Sequence, residues 1–84
     1  MKSNLNTAKH RILNQLMLNY NKEVPLWRLQ GLIGGTDASR EIRYLRAKGF
    51  DIRWRYLKYN THTTVYKLCT PLRKIDFTNL TVKN

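Results

Sequence analysis

The chain has 84 residues, which suits one small domain with little apolar core to spare. Sixteen Lys and Arg residues against five Asp and Glu residues give a formal net charge of +11, which favours a polyanionic partner, nucleic acid first and an anionic membrane surface second. One cysteine excludes an internal disulfide and a cysteine-cluster zinc site, and no apolar run of about 18 residues exists to span a bilayer. The opening residues lack the apolar core of a secretory signal, so we expect a cytoplasmic protein of a bacterial cell or a phage-infected host.

A first helix is predicted from Thr7 to about Asn19, after a polar and flexible segment at residues 1–6. Its apolar positions follow a four-residue stride, at Ala8, Ile12, Leu16 and Tyr20. Asn6 or Thr7 is expected to cap it. His10 falls on the polar side of this pattern and is expected to be a surface residue.

Two further helices joined by a Gly-Gly turn are predicted in the middle of the chain. The second helix spans about Pro25 to Ile33, and Val24 before it is compatible with a very short strand. Glycines 34 and 35 break the helix, because glycine accepts positive φ without steric cost. The third helix spans about residues 37–48, with Thr36 or Asp37 as its cap.

The third helix has two different faces. Its apolar side carries Ala38, Ile42 and Leu45, and the other side is basic. Two short helices, a glycine turn and a basic outer face form a helix-turn-helix pattern, in which the second helix of the motif enters the major groove of DNA.

A β-hairpin is predicted after Gly49. Residues 50–59 alternate apolar and basic side chains, Asn60–His62 form the predicted turn, and residues 63–69 form the return strand. Trp54 is expected to pack because it alternates with Ile52. Residues 70–84 contain apolar side chains without a steady period, and we expect them to form a packing or self-association arm.

From residue 7 to residue 68 the sequence resembles the small winged helix-turn-helix domains of phage and prophage proteins. The segments that carry the resemblance are RILNQLM, VPLWRLQGLIGG, SREIRYLRAKGFDI and VYKL. The resemblance implies an α+β winged helix-turn-helix domain at residues 7–69: three helices, a C-terminal hairpin wing and a short edge strand before helix two. It also implies sequence-specific binding of double-stranded DNA, as a transcriptional regulator or a recombination accessory factor.

Two sets of DNA contacts follow from this arrangement. Bases of the major groove are expected to be contacted by the third helix, through Ser39, Arg40, Arg43 and Tyr44. The backbone is expected to be contacted from the helices and the wing, through Arg28, Thr36, Arg46, Lys48, Arg53, Arg55, Lys58, His62 and Lys67. Asp37 departs from the pattern, since it would repel phosphate unless it caps the helix or accepts a hydrogen bond from cytosine N4.

Two alternatives remain open at this point. Aromatic residues interleaved with arginine at positions 53–56 are also typical of a surface that stacks unpaired bases of RNA or single-stranded DNA. A basic interaction module that inhibits or recruits an acidic protein is the second alternative, and homodimerisation is open in each case. No catalytic constellation, metal-ligand spacing or phosphate loop is present, so we expect neither an enzyme, a metal site nor a cofactor.

Overall fold

The computed structural model of the protein describes residues 7–57 and 60–83, and for residues 60–62 it describes the backbone only. Three helices precede most of the strands: α1 (Ala8–Leu18), α2 (Leu26–Ile33) and α3 (Ala38–Ala47). The strands are β1 (Val24–Pro25), β2 (Ile52–Leu57), β3 (Asn60–Leu68), β4 (Ile75–Asp76) and β5 (Thr81–Val82), with a 3₁₀ turn at Leu72–Lys74. The predicted α+β class and its three helices are confirmed.

Helix α1 is bounded as its sequence predicts. Thr7 is the N-cap, and its hydroxyl oxygen accepts a hydrogen bond from the His10 amide at 3.3 Å. Asn19 is the C-cap, and its amide donates to the Gln15 carbonyl at 3.1 Å. The apolar stripe is fully buried at its centre, where Ile12 has no exposed surface, so α1 forms the back of the core.

The α2–α3 connection is a short turn. Pro25 is the N-cap of α2 rather than its first helical residue, and Gly34 closes the helix with φ 63°, a left-handed value that favours glycine. Asp37 is the cap of α3, where its Oδ1 accepts a hydrogen bond from the Ser39 amide at 3.1 Å. Gly49 follows α3 with φ 105° and lets the chain turn into β2.

The main sheet is antiparallel with strand order β1-β3-β2. The predicted short strand at Val24 is confirmed and pairs with Tyr66, while Trp54 lies opposite Tyr66 from the other side. The turn predicted at Asn60–His62 is wrong: Asn60 begins β3 and pairs with Leu57, after a shift of register. Threonines 61, 63 and 64 explain the difference, because β-branched residues favour strands.

The C-terminal segment folds back on its own chain. Strands β4 and β5 pair through Ile75 and Val82, and Ile75 and Leu80 are buried in the same core as the helices. The prediction that His10 is a surface residue is wrong, since 5% of it is exposed. The ring contacts Phe77 with centroids 5.0 Å apart, and its two nitrogens lie 2.6 Å from Thr7 Oγ1 and 3.4 Å from the Thr78 carbonyl oxygen.

None of the described helices is both long enough and apolar enough to cross a membrane.

Candidate nucleic-acid interface

Helix α3 presents a buried face and a basic exposed face, as its sequence predicts. Ala38, Ile42 and Leu45 are buried in the core. The opposite side carries the predicted contact residues, of which Ser39 is half-buried and the others are exposed: Arg40, Arg43, Tyr44, Arg46 and Lys48. In the described part of the chain no carboxylate lies within ion-pair distance of the three arginines. Their charge is therefore available to a ligand.

Contacts with α1 fix the rotation of α3. Glu41, which is 6% exposed, faces α1, and its Oε2 lies 2.8 Å from Lys9 Nζ. The same ammonium lies 4.7 Å from the centroid of the Tyr44 ring, and Lys48 Nζ lies 5.5 Å from it. Glu41 and the ring of Tyr44 therefore both contact the ammonium group of Lys9, and these contacts connect α3 to α1.

Gln30 holds the turn between α2 and α3. Its Oε1 accepts a hydrogen bond from the Ala38 amide at 3.0 Å, which satisfies a free N–H at the start of α3. Its Nε2 donates to the carbonyl of Gly34 at 2.8 Å and to that of Thr36. Sequence reasoning missed this residue. The sequence does contain a signal for this role: a side-chain amide, which can both donate and accept hydrogen bonds, lies one helical turn before a glycine pair.

Asp37 is engaged at the N-terminus of α3 and does not project as an isolated anion. Its Oδ1 accepts hydrogen bonds from the Ser39 amide and, at 2.9 Å, from the Ser39 hydroxyl. The Ser39 side chain is the main cause that lowers the pKa of Asp37, with smaller contributions from the backbone amides of Ser39 and Arg40 and from the charge of Arg43. This engagement explains how an acidic residue is accommodated beside the basic face.

Both described arginines of β2 form ion pairs within the chain. Arg53 Nε lies 3.4 Å from Asp51 Oδ1. Arg55 binds Glu23 through two nitrogens, with Nη2 to Oε1 at 2.7 Å, and this hydrogen bonding is the main cause that lowers the pKa of Glu23. The arginines of β2 are thus ion-paired, whereas those of α3 have no ion-pair partner among the described residues.

Some predicted contacts fall outside α3 and β2. Arg28 on α2 and Thr36 in the turn are exposed, and Lys67 on β3 is half-buried. Lys58 and the side chain of His62 lie outside the described residues.

The outward end of β2 is aromatic. The prediction that Trp54 packs is wrong, since it is 50% exposed, and Tyr56 is 54% exposed. The two rings form a T-shaped contact with centroids 5.5 Å apart. Ile52, on the same sheet face, is buried. In β2, burial in the core therefore ends at Ile52. The alternation of apolar and basic residues in the sequence does not show where along a strand the core ends.

A groove separates α3 from the β2–β3 strand pair. It encloses about 220 Å³ and is lined on the helix side by Ser39, Ile42, Arg43 and Arg46, and on the sheet side by Trp54 and Tyr66. Burial raises the pKa of the Tyr66 hydroxyl, and the nearby charges of Arg46 and Arg43 act in the opposite direction. We call this surface the helix–sheet groove. It brings together Ser39, Arg43 and Arg46 of the predicted contacts.

All five acidic side chains are engaged in contacts within the chain. Three pair with a cation, and two bind hydrogen-bond donors at a helix start or a turn: Glu23, Glu41, Asp51, Asp37 and Asp76. Within residues 7–57 and 60–83, no group of three His, Cys, Asp or Glu side chains could hold a metal ion. Comparison of the chain with protein families, curated proteins and solved structures finds no match.

Proposed function

We propose that the chain is a winged helix-turn-helix domain that binds double-stranded DNA sequence-specifically, with α3 in the major groove and β2–β3 as the wing. The observation that carries this proposal is the basic face of α3. Three arginines without an ion-pair partner in the described chain lie on one side of a helix whose other side is fixed in the core. The strand order also supports it, because a short strand before α2 extends the hairpin that follows α3.

Base reading rests on the exposed part of α3 near its N-terminus. Arg40 and Arg43 can each present a planar fork to guanine O6 and N7. Ser39 offers different chemistry: its hydroxyl hydrogen is donated to Asp37, so only its oxygen lone pairs face a ligand. Ser39 therefore favours a base with an amino group in the major groove, adenine or cytosine.

Phosphate contacts would be made by residues around this reading face. Arg46 and Lys48 lie further along α3, with Thr36 in the turn and Arg28 on α2. Arg53 and Arg55 are ion-paired with Asp51 and Glu23, respectively. Each can contact a phosphate only if the phosphate replaces that carboxylate.

The direct test is selection of binding sites from a random duplex pool at near-physiological salt, followed by affinity measurements on the selected site. A recovered motif and a specificity ratio of about 10³ or more over a scrambled duplex would establish a sequence reader. Arg43→Ala is expected to relax the motif at one position. Arg73→Ala is the matched control, because it removes one exposed arginine from the 3₁₀ turn and leaves α3 intact. An unchanged motif in Arg40→Ala and Arg43→Ala would reject α3 as the reader.

The biological role proposed is a transcriptional regulator or a recombination accessory factor in a bacterial or phage-infected cytoplasm. Inverted half-sites one helical turn apart in the selected motif would show that two copies bind together. A single unsymmetric site would show a monomer.

A second candidate function is binding of RNA or single-stranded DNA. The exposed rings of Trp54 and Tyr56 favour it, because an aromatic side chain can stack on any unpaired base.

A further inference from the structure

Trp54 is an exposed aromatic side chain in an unusual position. It lies on the face of the sheet that is directed toward α3, as shown by its place in the helix–sheet groove beside Arg43 and Arg46. It also lies directly opposite Tyr66 in the strand register, so the two rings are cross-strand neighbours on one face. The groove therefore has an aromatic wall and a basic wall.

Among the described residues, the ring of Trp54 forms one aromatic ring contact. Tyr56 contacts it in a T-shaped arrangement, with an interplanar angle of 79°, and this contact leaves at least one face of the indole free of an aromatic neighbour. Among the described residues no cation lies over the ring of Trp54, although Lys9 and Lys48 both approach Tyr44. A flat ligand can therefore reach the indole face.

Duplex DNA does not offer such a ligand, because each base within a duplex is covered on both faces by its neighbours. An unpaired base has free faces and stacks on aromatic side chains, while arginine neutralises its phosphate. The groove encloses about 220 Å³, less than the roughly 300–1,000 Å³ of pockets for drug-sized ligands, so it suits a ligand no larger than a single base.

We infer that the helix–sheet groove binds one unpaired nucleobase, stacked on Trp54 with its phosphate held by Arg46. This inference rests on the proposed function, since the preferred ligand becomes a duplex that carries an unpaired nucleotide beside the segment contacted by α3. Tyr66 lines the groove on the sheet side, together with Trp54.

The test compares three probes: a blunt duplex, the same duplex with a short single-stranded oligothymidine extension, and that duplex with an abasic extension of equal length. The abasic extension adds the same phosphates without bases. We expect the oligothymidine probe to bind about tenfold tighter than the abasic probe, the order of magnitude of one base stacked on an aromatic ring. Equal affinity for these two probes would overturn the inference.

Variants assign the effect to the groove. Trp54→Leu is expected to abolish the preference for the oligothymidine probe and to leave the affinity for the blunt duplex unchanged, whereas Trp54→Phe keeps part of it. Trp27→Leu is the matched control, because Trp27 is 69% exposed and lies on α2, away from the groove. If Trp54→Leu still prefers the oligothymidine probe over the abasic probe, the unpaired base does not bind in the helix–sheet groove.

Fluorescence provides an independent readout. The chain has two tryptophans, so in Trp27→Phe the tryptophan emission, excited selectively over that of tyrosine, comes from Trp54 alone. The oligothymidine probe should quench this emission and the abasic probe should not.

The two proposals fail in different ways. Motif-specific binding of blunt duplex without any preference for bases in the extension would reject the unpaired-base site and retain the DNA reader. A Trp54-dependent preference without any selected motif would retain the site and reject sequence-specific duplex reading. Capture of neither duplex nor extension would reject both and favour the acidic-protein partner.

Discussion

Lys9 on α1 and Glu41 on α3 form an ion pair with Nζ 2.8 Å from Oε2. The carboxylate side chain is 8% exposed and the ammonium side chain 31% exposed. The buried oxygen accepts no hydrogen bond among the described residues, so the charge of Lys9 is its compensation there. A buried carboxylate without its cation is costly, and this pair therefore fixes the face that α3 turns outward.

Lys9→Met is expected to destabilise the fold by about 1–2 kcal/mol, less than the roughly 3–5 kcal/mol of a fully buried pair because Lys9 is partly exposed. Methionine keeps the apolar stem but leaves Glu41 unpaired. Urea denaturation followed by circular dichroism measures the change. Glu41→Gln in the same chain should recover most of the loss, and Lys22→Met, an exposed lysine in the turn before β1, is the control. Equal losses in Lys9→Met and Lys22→Met would show that the pair contributes nothing.

Gln30→Glu tests separately the accepting and the donating hydrogen bonds of the side-chain amide that holds the turn. The carboxylate still accepts from the Ala38 amide but can no longer donate to Gly34 and Thr36. We expect amide exchange at Ala38 to remain slow in Gln30→Glu and to accelerate in Gln30→Ala, with a loss of about 1 kcal/mol of stability in the alanine variant. Hydrogen exchange read by NMR measures both. Unchanged protection of the Ala38 amide in Gln30→Ala would contradict the assignment.

Stability is expected to decline on acidification below about pH 4, the ordinary range of carboxyl pKa values. Hydrogen bonds from Arg55, Ser39 and Asn79 are the main causes that lower the pKa values of Glu23, Asp37 and Asp76, respectively. A carboxyl whose pKa is lower in the folded state binds protons more readily when unfolded. Its stabilisation is therefore complete above the unfolded pKa and is lost as pH falls through the folded pKa.

Denaturation at a series of pH values measures this decline. Asp76→Asn should reduce its steepness, because asparagine keeps an acceptor but does not titrate. An identical pH profile in Asp76→Asn would show that this carboxyl does not contribute.

The salt dependence of duplex binding should reflect the cations proposed to contact phosphate and not the net charge of +11. These three cations, Arg28, Arg46 and Lys48, predict a slope of log K against log salt of about −3. Arg46→Ala should reduce its magnitude by about one. Arg55→Ala should leave it unchanged, because Arg55 is paired with Glu23. A slope of about −5 would mean that Arg53 and Arg55 also leave their carboxylates for phosphate.

The local elements could be predicted from the sequence because their signals are local. Thr7 and Asp37 are side-chain caps, Gly34 and Gly49 need positive φ, and the stripe on α3 follows the helical period. These features depend on residues within a few positions of one another.

The features that the sequence did not predict correctly depend on contacts between distant parts of the chain. His10 is buried because Phe77 and Thr78 cover it, and no pattern within α1 contains that information. Trp54 is half-exposed because it lines an open groove between the sheet and α3, and that groove depends on how the two layers are placed. The ion pair between Glu23 and Arg55 joins residues 32 positions apart.

The separation of the two faces of α3 has a consequence for how recognition can change. Ala38, Glu41, Ile42 and Leu45 hold the helix, while positions 39, 40 and 43 contribute little to the core. Substitutions at those three positions therefore leave the core intact, and the coupling between such helix neighbours is only about 0.2–0.5 kcal/mol per pair. A randomised library at these positions should yield mostly folded proteins with new target preferences, which makes the domain a candidate scaffold for retargeting.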